Sequence, residues 1–254
     1  MNSAPLLRLD GVSRRFGGVL ATDAVDLQVE QGELLGIIGP NGAGMTTLFN
    51  MITGLARPSL GRILFRGRRI DHLPPHRIAH LGIARTFQNI RVFPNLSVFD
   101  NVAAGAIGAL GFGPLHALLP QRVRARSITG RTLSALDRVG LAANAGALAA
   151  SLPYGRRKYL EIARALATGP SLLILDEPAA GLNGTETAAL GAFIRELHRD
   201  GLTVLLVEHD MTLVMSTCQR VAVLAAGRKI ADAAPEAVRR DPAVQTAYLG
   251  IEPS

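Results

Sequence analysis

Residues 39–47 read GPNGAGMTT and follow directly on the apolar run LLGII at residues 34–38. The apolar run predicts a buried strand, and the segment after the glycines predicts a helix. Glycines between a strand and a helix let consecutive backbone N–H groups converge on an anion, and the helix adds the positive end of its dipole. The pattern GxxxxGK[ST] is complete here except that Met45 stands at the lysine position. The stretch therefore predicts a phosphate-binding loop.

Met45 is the departure that decides what this loop does. The lysine of the pattern bridges the β- and γ-phosphates and stabilises charge as the bond breaks. Methionine has a similar reach, but it has no charge and no strong hydrogen-bond donor. Removing one preorganised donor typically costs about 3 kcal/mol, or ~10²-fold in rate. We therefore expect weakened but retained nucleotide binding and strongly reduced hydrolysis. Natural divergence and an introduced substitution both stay open as the origin of Met45, since the two codons can differ by one base.

A pair of carboxylates ends a second apolar run, LLILDEP at residues 172–178. Open parallel sheets bind their ligands at the carboxyl ends of the strands. We expect Asp176 to hold magnesium and Glu177 to act as general base on the attacking water. Carboxylates that merely end a strand are the alternative, and the phosphate loop upstream decides against it. His209 in VLLVEHD and Gln88 in ARTFQN are unremarkable alone and gain meaning beside these motifs.

The composition is that of an ordinary folded protein. The chain has 254 residues, of which 48% are hydrophobic, and a single cysteine, Cys218. One cysteine excludes an internal disulfide and is compatible with a reducing compartment. The net charge of +7 allows a polyanionic partner, but the arginines are scattered without interleaved aromatic residues, so we expect no nucleic-acid partner. No signal peptide is evident at the N-terminus, and we expect a cytoplasmic protein.

Strand-like and helix-like segments alternate along the chain, which predicts an α/β fold with a mostly parallel sheet flanked by helices. The pattern of residues 89–165 is helical, so we expect one domain with a core of residues 1–88 and 166–254 and an inserted helical subdomain at 89–165. Glycines and prolines interrupt the uncharged residues 101–121 well before the ~20 apolar residues of a membrane span, and we expect a helix and a glycine-rich loop there. The predicted strands cover residues 6–9, 25–29, 34–38, 62–65, 172–175, 203–207 and 221–224, and predicted helices begin near residues 46, 186 and 212.

The order of the motifs resembles that of the ATP-binding subunits of ABC transporters. GPNGAGMTT, ARTFQN, LPYGRRK, LLILDEP, AAGLN and VEHD correspond to the Walker A loop, Q-loop, signature motif, Walker B motif, D-loop and H-loop, and the resemblance covers nearly the whole chain. RFGG, LPPHRIAHLGIARTFQNIRVFPNLSVFDNV, LEIARALA, DEPAAGLN and AYLG are similar to the ATPases of branched-chain amino acid uptake systems. The resemblance implies a P-loop NTPase (ABC ATPase) fold, with an antiparallel β edge and a helical subdomain that carries the signature motif.

The same resemblance implies ATP and Mg²⁺ as cofactors and assigns the site residues. The implied catalytic residues are Glu177, which acts as base, His209, which contacts the γ-phosphate, and Gln88. We expect Thr46, Gln88 and Asp176 to bind magnesium, and Phe16 to stack on adenine. The expected nucleotide-binding residues are Phe16, Gly39, Pro40, Asn41, Gly42, Ala43, Gly44, Met45, Thr46 and Thr47 in one subunit, with Leu152, Pro153, Tyr154, Gly155 and Arg156 acting on the ATP of the opposite subunit.

The signature segment, residues 152–156, reads LPYGR and departs from the superfamily's LSGGQ. Pro153 replaces the serine that would contact the γ-phosphate, and Tyr154 replaces a glycine. Arg156 replaces the glutamine, and one hypothesis is that it supplies in trans some of the positive charge missing at Met45. A solvated arginine is the alternative.

The expected function is the energising subunit of an amino acid importer. Such a subunit pairs with a second ATPase subunit and with membrane-spanning permease subunits, peripheral to the cytoplasmic face of the inner membrane. A non-hydrolysing member of an asymmetric ATPase pair is the alternative that Met45 favours. A soluble ATPase acting on nucleic acid or ribosomes is a third possibility, and the single set of ATPase motifs argues against it.

Overall fold

The strands of the chain form two sheets in the computed structural model, which describes residues 4–110, 121–209 and 211–249. The strands are β1 Leu7–Phe16, β2 Val19–Val29, β3 Leu34–Ile38, β4 Leu60–Phe65, β5 Arg68–Arg69, β6 Ile83–Arg85, β7 Leu172–Asp176, β8 Thr203–Glu208, β9 Arg220–Ala225 and β10 Arg228–Ala233. A six-stranded sheet has the order β10-β9-β3-β8-β7-β6, and a four-stranded sheet has the order β2-β1-β4-β5.

The six-stranded sheet is parallel except at one edge. β3 pairs in parallel with β8 and β9, β7 pairs in parallel with β8 and β6, and only β10 pairs antiparallel, with β9. Every residue of β3 and of β7 is buried. Because helices or the second sheet cover both faces, these central strands are continuous apolar runs. The predicted α/β fold with a mostly parallel sheet is confirmed.

The four-stranded sheet is antiparallel throughout and packs on the phosphate-loop helix. Residues of β1 and β2 such as Leu7 and Val25 share one buried cluster with Phe49 of that helix. In this region the sequence predicted strands only at residues 6–9 and 25–29, so most of β1 and the first half of β2 were missed. These missed parts lack regular apolar alternation, and register shifts interrupt the β1–β2 pairing.

Helices cover the six-stranded sheet on the face away from the small sheet. Leu190, Ile194 and Val214 lie in a second buried cluster with the central strands. The helices are α1 Met45–Ile52, α2 Pro75–His80, α3 Val98–Leu110, α4 Gln121–Arg138, α5 Tyr154–Leu166, α6 Gly184–Arg199, α7 Met211–Thr217, α8 Pro235–Arg240 and α9 Pro242–Leu249.

Helices α3, α4 and α5 pack around a third buried cluster that includes Val102, Leu136 and Leu160. This separate core is what an inserted helical subdomain requires, and its limits at residues 89–165 stay a prediction. No helix within the described residues is long and apolar enough to cross a membrane. The expected helix of residues 101–121 is the C-terminal part of α3, and the expected glycine-rich loop lies at residues 111–120, outside the described residues.

The sequence missed the short and the edge elements. β6 has three residues, too few to show periodicity. β10 reads RKIADA and lies at the sheet edge, where its residues are half-buried or exposed and the apolar pattern is weak. These strands form because they pair with neighbouring strands of the sheet, and their own sequences have little β-strand propensity.

Gly105 in α3 sets how closely that helix approaches α5. A Cβ at Gly105 would lie 2.2 Å from the Arg164 backbone oxygen, whereas a Cβ at Gly108, in the same helix, would meet nothing within 4 Å. We expect Gly105→Ala to lower the free energy of unfolding by about 1–3 kcal/mol, because the backbone must move apart. Gly108→Ala should raise it by about 0.5–1 kcal/mol through helix propensity. Urea unfolding monitored by circular dichroism measures both, and equal effects would contradict the close approach.

Candidate active site

Close backbone approaches shape the loop between β3 and α1. A Cβ on Gly39 would lie 2.4 Å from the Leu224 backbone oxygen, and one on Gly44 would lie 2.3 Å from that of Ala21. Gly44 also has a φ of 94°, in the left-handed region. The carbonyl of Ala43 accepts a hydrogen bond from the N–H of Gly227 at 3.1 Å. The loop is therefore pinned against the strands on either side, and only glycine fits at both approaches.

The first turn of α1 presents open backbone donors. Gly44 is its N-cap, and no side chain of the described residues caps it. The first N–H groups of a helix have no acceptor within the helix, so they remain available to an anion at its positive end. Asn41, Gly42 and Thr46 are exposed, and Pro40 and Thr47 are half-buried. Solvent and a ligand can reach the loop from this side.

Met45 lies at the start of α1 and is partly buried. Its side chain packs against the buried cluster that also contains Leu48 and Phe49. A thioether stabilises such a position by apolar contact and supplies no ammonium. The loop therefore keeps its backbone frame and lacks the lysine charge.

Three predicted catalytic residues meet at the carboxyl edge of the parallel sheet. The Gln88 side-chain amide donates a hydrogen bond to Oε2 of Glu177 at 2.7 Å. Nδ1 of His209 lies 3.5 Å from the same oxygen. Glu177 is the most enclosed of the group, with 17% of its side chain exposed against 51% for His209. The carboxylate thus lies between an amide donor and an imidazole, within reach of solvent.

The backbone of Glu177 adopts a strained conformation at the end of β7. Its φ is 47°, a left-handed value that a non-glycine residue rarely adopts. The N–H of Glu177 donates to the carbonyl of Val207 at 2.9 Å, which continues the β7–β8 ladder by one residue. Such strain persists only when surrounding contacts hold it, and it is common at functional sites.

A buried ion pair joins Asp176 to Arg85. Nη2 of Arg85 lies 2.6 Å from Oδ2 of Asp176, and both side chains are at most 10% exposed. Nη1 of Arg85 donates to Oδ1 of Asn50 at 2.9 Å and to Oγ1 of Thr53 at 3.3 Å, so the guanidinium also holds α1. Arg85 was not predicted from the sequence. Its position directly before the TFQ of the Q-loop, in an otherwise apolar run, is a signal that could have identified it.

Two further buried ionisable groups lie behind Glu177. The ammonium of Lys158, on α5, is 3.3 Å from the carbonyl oxygen of Glu177 and 3.3 Å from that of Gln88. Oε1 of Glu208, the last residue of β8, accepts a hydrogen bond from the N–H of Ala179 at 2.9 Å. Burial, together with the nearby charge of Glu177, raises the pKa of Glu208 to about 7. Neither group was predicted from the sequence.

Phe16 ends β1 at the rim of the small sheet. Its side chain is 48% exposed, and the guanidinium carbon of Arg14 lies 4.6 Å from the ring centroid. An exposed ring on a strand end is able to stack on a flat ligand. Its role towards adenine stays a prediction.

The signature segment contacts the D-loop of its own chain. The hydroxyl of Tyr154 donates to the carbonyl of Ala180 at 3.2 Å, and Pro153 is the N-cap of α5. A Cβ on Gly155 would lie 2.9 Å from Oε1 of Glu186. The other two residues of the segment are a buried Leu152 and an exposed Arg156, whose Nη1 donates to the Gly140 carbonyl at 3.2 Å. Arg156 therefore has a partner in its own subunit.

These residues fit a magnesium nucleotide. The loop is held close to the neighbouring strands at Gly39 and Gly44, and the uncapped start of α1 offers open N–H groups suited to phosphate oxygens. Thr46 supplies a hydroxyl, Gln88 an amide oxygen and Asp176 a carboxylate with its Oδ1 outside the Arg85 pair. Magnesium is held in proteins by one or two carboxylates together with substrate phosphates and water. In the described residues no cluster of three or more histidine, cysteine or acidic side chains could hold a metal alone.

The profile of the ABC transporter family matches residues 22–180, more than half of the chain. A second profile, for the branched-chain amino acid ATP-binding cassette transporter, matches residues 228–252. The match to the first profile spans the loop at 39–47, Gln88, residues 152–156 and the Asp176–Glu177 pair.

Curated relatives align over almost the full chain. The high-affinity branched-chain amino acid transport ATP-binding protein LivG of Salmonella typhimurium is 43% identical over 252 residues, covering 98% of this chain and 99% of the relative. BraF of Pseudomonas aeruginosa, which carries the same description, is also 43% identical, with the same coverage. The methionine import ATP-binding protein MetN of Mesorhizobium japonicum is 37% identical over 246 residues, which cover 63% of its length.

Solved structures give the same result for the fold. MJ1267, described as an ATP-binding cassette of an ABC transporter, superposes with a TM-score of 0.85 at 31% identity, covering 96% of this chain and 98% of the other. A structure titled as the ADP conformation of MJ1267 superposes with a TM-score of 0.84 at 30% identity and covers 97% of this chain and 99% of the other. The chain therefore belongs to the ABC transporter family, among its ATP-binding subunits.

Proposed function

We propose that this chain is the ATP-binding subunit that energises uptake of branched-chain amino acids by an ABC importer. The observation that carries the proposal is the contact of Gln88 and His209 with one Glu177 oxygen, at the sheet edge to which the phosphate loop also belongs. A domain that only held a nucleotide would need no carboxylate set between these two groups. The relatives named for branched-chain amino acid transport support the substrate class.

In the proposed nucleotide site, separate elements of the fold bind the adenine, the phosphates and the magnesium ion. Phe16 stacks on adenine, and the backbone of residues 39–44 with the N–H groups of Met45, Thr46 and Thr47 binds the phosphates. Mg²⁺ bound by Thr46, Gln88 and Asp176 would neutralise phosphate charge there. Arg85 keeps Asp176 in place, since its guanidinium holds one carboxylate oxygen and α1 together.

Glu177 is the proposed general base. Its carboxylate accepts a proton from the attacking water, while Gln88 and His209 orient the carboxylate and the γ-phosphate. Both side chains already contact Oε2 of Glu177, so the second oxygen is the one available to water. Proton acceptance and water orientation are roles of this chain's own residues.

The signature segment is proposed to act on the nucleotide of a second subunit. Pro153 at the N-cap leaves the start of α5 without a side-chain cap, and Gly155 in the first turn adds no side chain to cover its N–H groups. An uncapped helix start facing a neighbour would bind the γ-phosphate there. The second subunit is either another copy or a related ATPase.

A groove beside the Q-loop is the proposed contact for the permease. Its cavity volume is about 610 Å³, and it lies between the small helix α2, the end of β6 and helices α3 and α5. Phe87 and Phe93 line it with Arg91 and Arg164, whose guanidinium carbons lie 4.1 Å and 5.7 Å from the two respective ring centroids. Apolar rings flanked by guanidinium groups suit the carboxyl end of a short helix, since cations stabilise that end.

Met45 favours a second function, that of a nucleotide-binding subunit with little turnover in an asymmetric pair. Its side chain packs into the core and supplies no donor to the phosphates. In such a pair the backbone cradle would hold nucleotide, and a partner with the lysine would hydrolyse it. The presence of Glu177 and His209 argues against complete loss of chemistry, because a binding site alone requires neither.

Met45→Lys separates these two functions. We expect the variant to release phosphate from ATP about 10²-fold faster than the unchanged chain, because one charge-stabilising donor is restored. Phosphate release in the presence of Mg²⁺ and ATP affinity by calorimetry are the two measurements. Met45→Leu is the control for packing and should leave the rate unchanged. Equal rates for all three proteins would refute the role assigned to position 45.

Uptake in proteoliposomes tests the importer function. The chain is reconstituted with the permease and binding protein of a branched-chain amino acid importer, and ATP-dependent entry of labelled leucine is compared with entry of methionine. We expect leucine uptake that requires both ATP and this chain, at least about 100-fold faster with lysine at position 45. Assembly with the permease without any ATP-dependent uptake, even with that lysine, would contradict the proposal.

Phe93→Ser tests the permease groove. Phe93 is 49% exposed, and we expect its replacement to weaken co-purification with the permease about tenfold, because one aromatic anchor is lost. Leu60→Ser removes a side chain that is 71% exposed on the small sheet and should leave the complex intact. Loss of binding in both variants would point to a general surface effect.

A further inference from the structure

Lys158 is a buried cation at the end of the LPYGRRK motif, and the sequence predicted no role for it. It lies in the second turn of α5, directly after the signature segment and Arg157, and only 3% of the residue is exposed. Its ammonium is 3.3 Å from the Gln88 carbonyl oxygen and 3.3 Å from the Glu177 carbonyl oxygen. A single side chain therefore joins the helix that begins at the signature segment to the backbone of both residues that meet at Oε2 of Glu177.

Placing a charge at this position is costly. Burial lowers the pKa of Lys158, and the charges of Glu161, Glu208, Glu177 and Asp176 act in the opposite direction. Within the described residues none of these carboxylates forms an ion pair with Lys158 at 4.0 Å or less. Taking an ammonium without a carboxylate partner out of water is unfavourable, whereas an apolar side chain of the same length would fill the space without that penalty. The two carbonyl contacts, together with the Tyr154 ring whose centroid lies 5.9 Å from the ammonium, distinguish this side chain from an apolar one.

The two carbonyls belong to the segments whose side chains form the catalytic contact. The Gln88 amide donates to Glu177 at 2.7 Å, and Glu177 adopts a left-handed φ of 47°. Backbone dihedrals of that kind need outside contacts to hold them. The Lys158 ammonium supplies one such contact from behind, on the carbonyl of the strained residue itself.

We propose that Lys158 is a positioning residue for hydrolysis: it fixes the backbone of Gln88 and Glu177 relative to the signature helix, so that Glu177 is aligned only when that helix is in place. The inference rests on the proposed ATPase function. Misplacing a catalytic group by about 1 Å costs up to ~10²-fold in rate, while nucleotide binding by the loop is unaffected. Lys158 therefore acts on kcat and leaves ATP affinity unchanged.

The test uses the full chain with Met45→Lys, in which we expect measurable turnover, and adds Lys158→Met. We expect kcat to fall about 10- to 100-fold, with KM and the calorimetric Kd for ATP within about twofold. Lys158→Arg should recover most of kcat, because a guanidinium also donates to two carbonyls. Arg195→Met is the matched control, since Arg195 donates to the Ser216 carbonyl between α6 and α7, and it should leave kcat unchanged.

The outcomes separate the inference from the proposed function. No turnover in the Met45→Lys chain with Lys158 intact would overturn the ATPase function and this inference together. Turnover that is equal with and without Lys158, or a loss of kcat matched by a loss of ATP-binding stoichiometry, would overturn the positioning role alone. If Lys158→Met does not fold, Lys158→Gln replaces it, and an amide that serves one carbonyl should give an intermediate kcat.

Discussion

Parallel pairing of β3, β8 and β7 is the constraint on which the rest of the site depends. Ile38 is in register with Glu208, and Asp176 is in register with Val207, so all three strands end at one level. The chain leaves each strand there, and parallel strands end on the same edge of a sheet. The phosphate loop, the Asp176–Glu177 pair and His209 come from distant parts of the sequence and become neighbours through this register alone. A slip of one residue would turn the side chain of Asp176 to the opposite face of the sheet.

Charge balance at this edge explains why two nearby cations of the described residues, Arg85 and Lys158, do not replace the loop lysine. Arg85 is engaged by Asp176 and by Asn50 and Thr53 of α1, and Lys158 is engaged by two backbone carbonyls. Both cations therefore serve protein groups, and moving either one to a phosphate would leave a buried acceptor without its donor. Burial of Glu208 beside Glu177 raises the pKa of Glu208 to about 7, so near neutral pH this carboxyl is partly protonated and the excess of negative charge is smaller. In the proposed site, phosphate binding is therefore assigned to the backbone amides of the loop.

The sequence predicted the parts of this site that carry a local pattern. The glycine loop follows an apolar run, and two further runs end within LLILDEP and VEHD. The alternation of such runs with helical segments predicts the parallel sheet. Arg85, Lys158 and Glu208 were not predicted, because each acts through contacts that are distant in sequence. The contact from Lys158 to the Gln88 carbonyl spans 70 residues, and that from Arg85 to Asp176 spans 91. Edge strands such as β10 were missed for the same reason, since pairing partners rather than periodicity stabilise them.

Helix α5 connects the signature segment to the backbone of Gln88 and Glu177. Its N-terminus carries the signature segment, and Tyr154 there holds the D-loop of the same chain through the Ala180 carbonyl. One turn later, Lys158 reaches the backbone of Gln88 and Glu177. A helix is stiff over one turn, because its backbone hydrogen bonds run along the axis. A displacement of the helix start by the proposed second subunit would therefore be passed to the D-loop and to Glu177 together, and it would link the proposed site in trans to the proposed site of the chain itself.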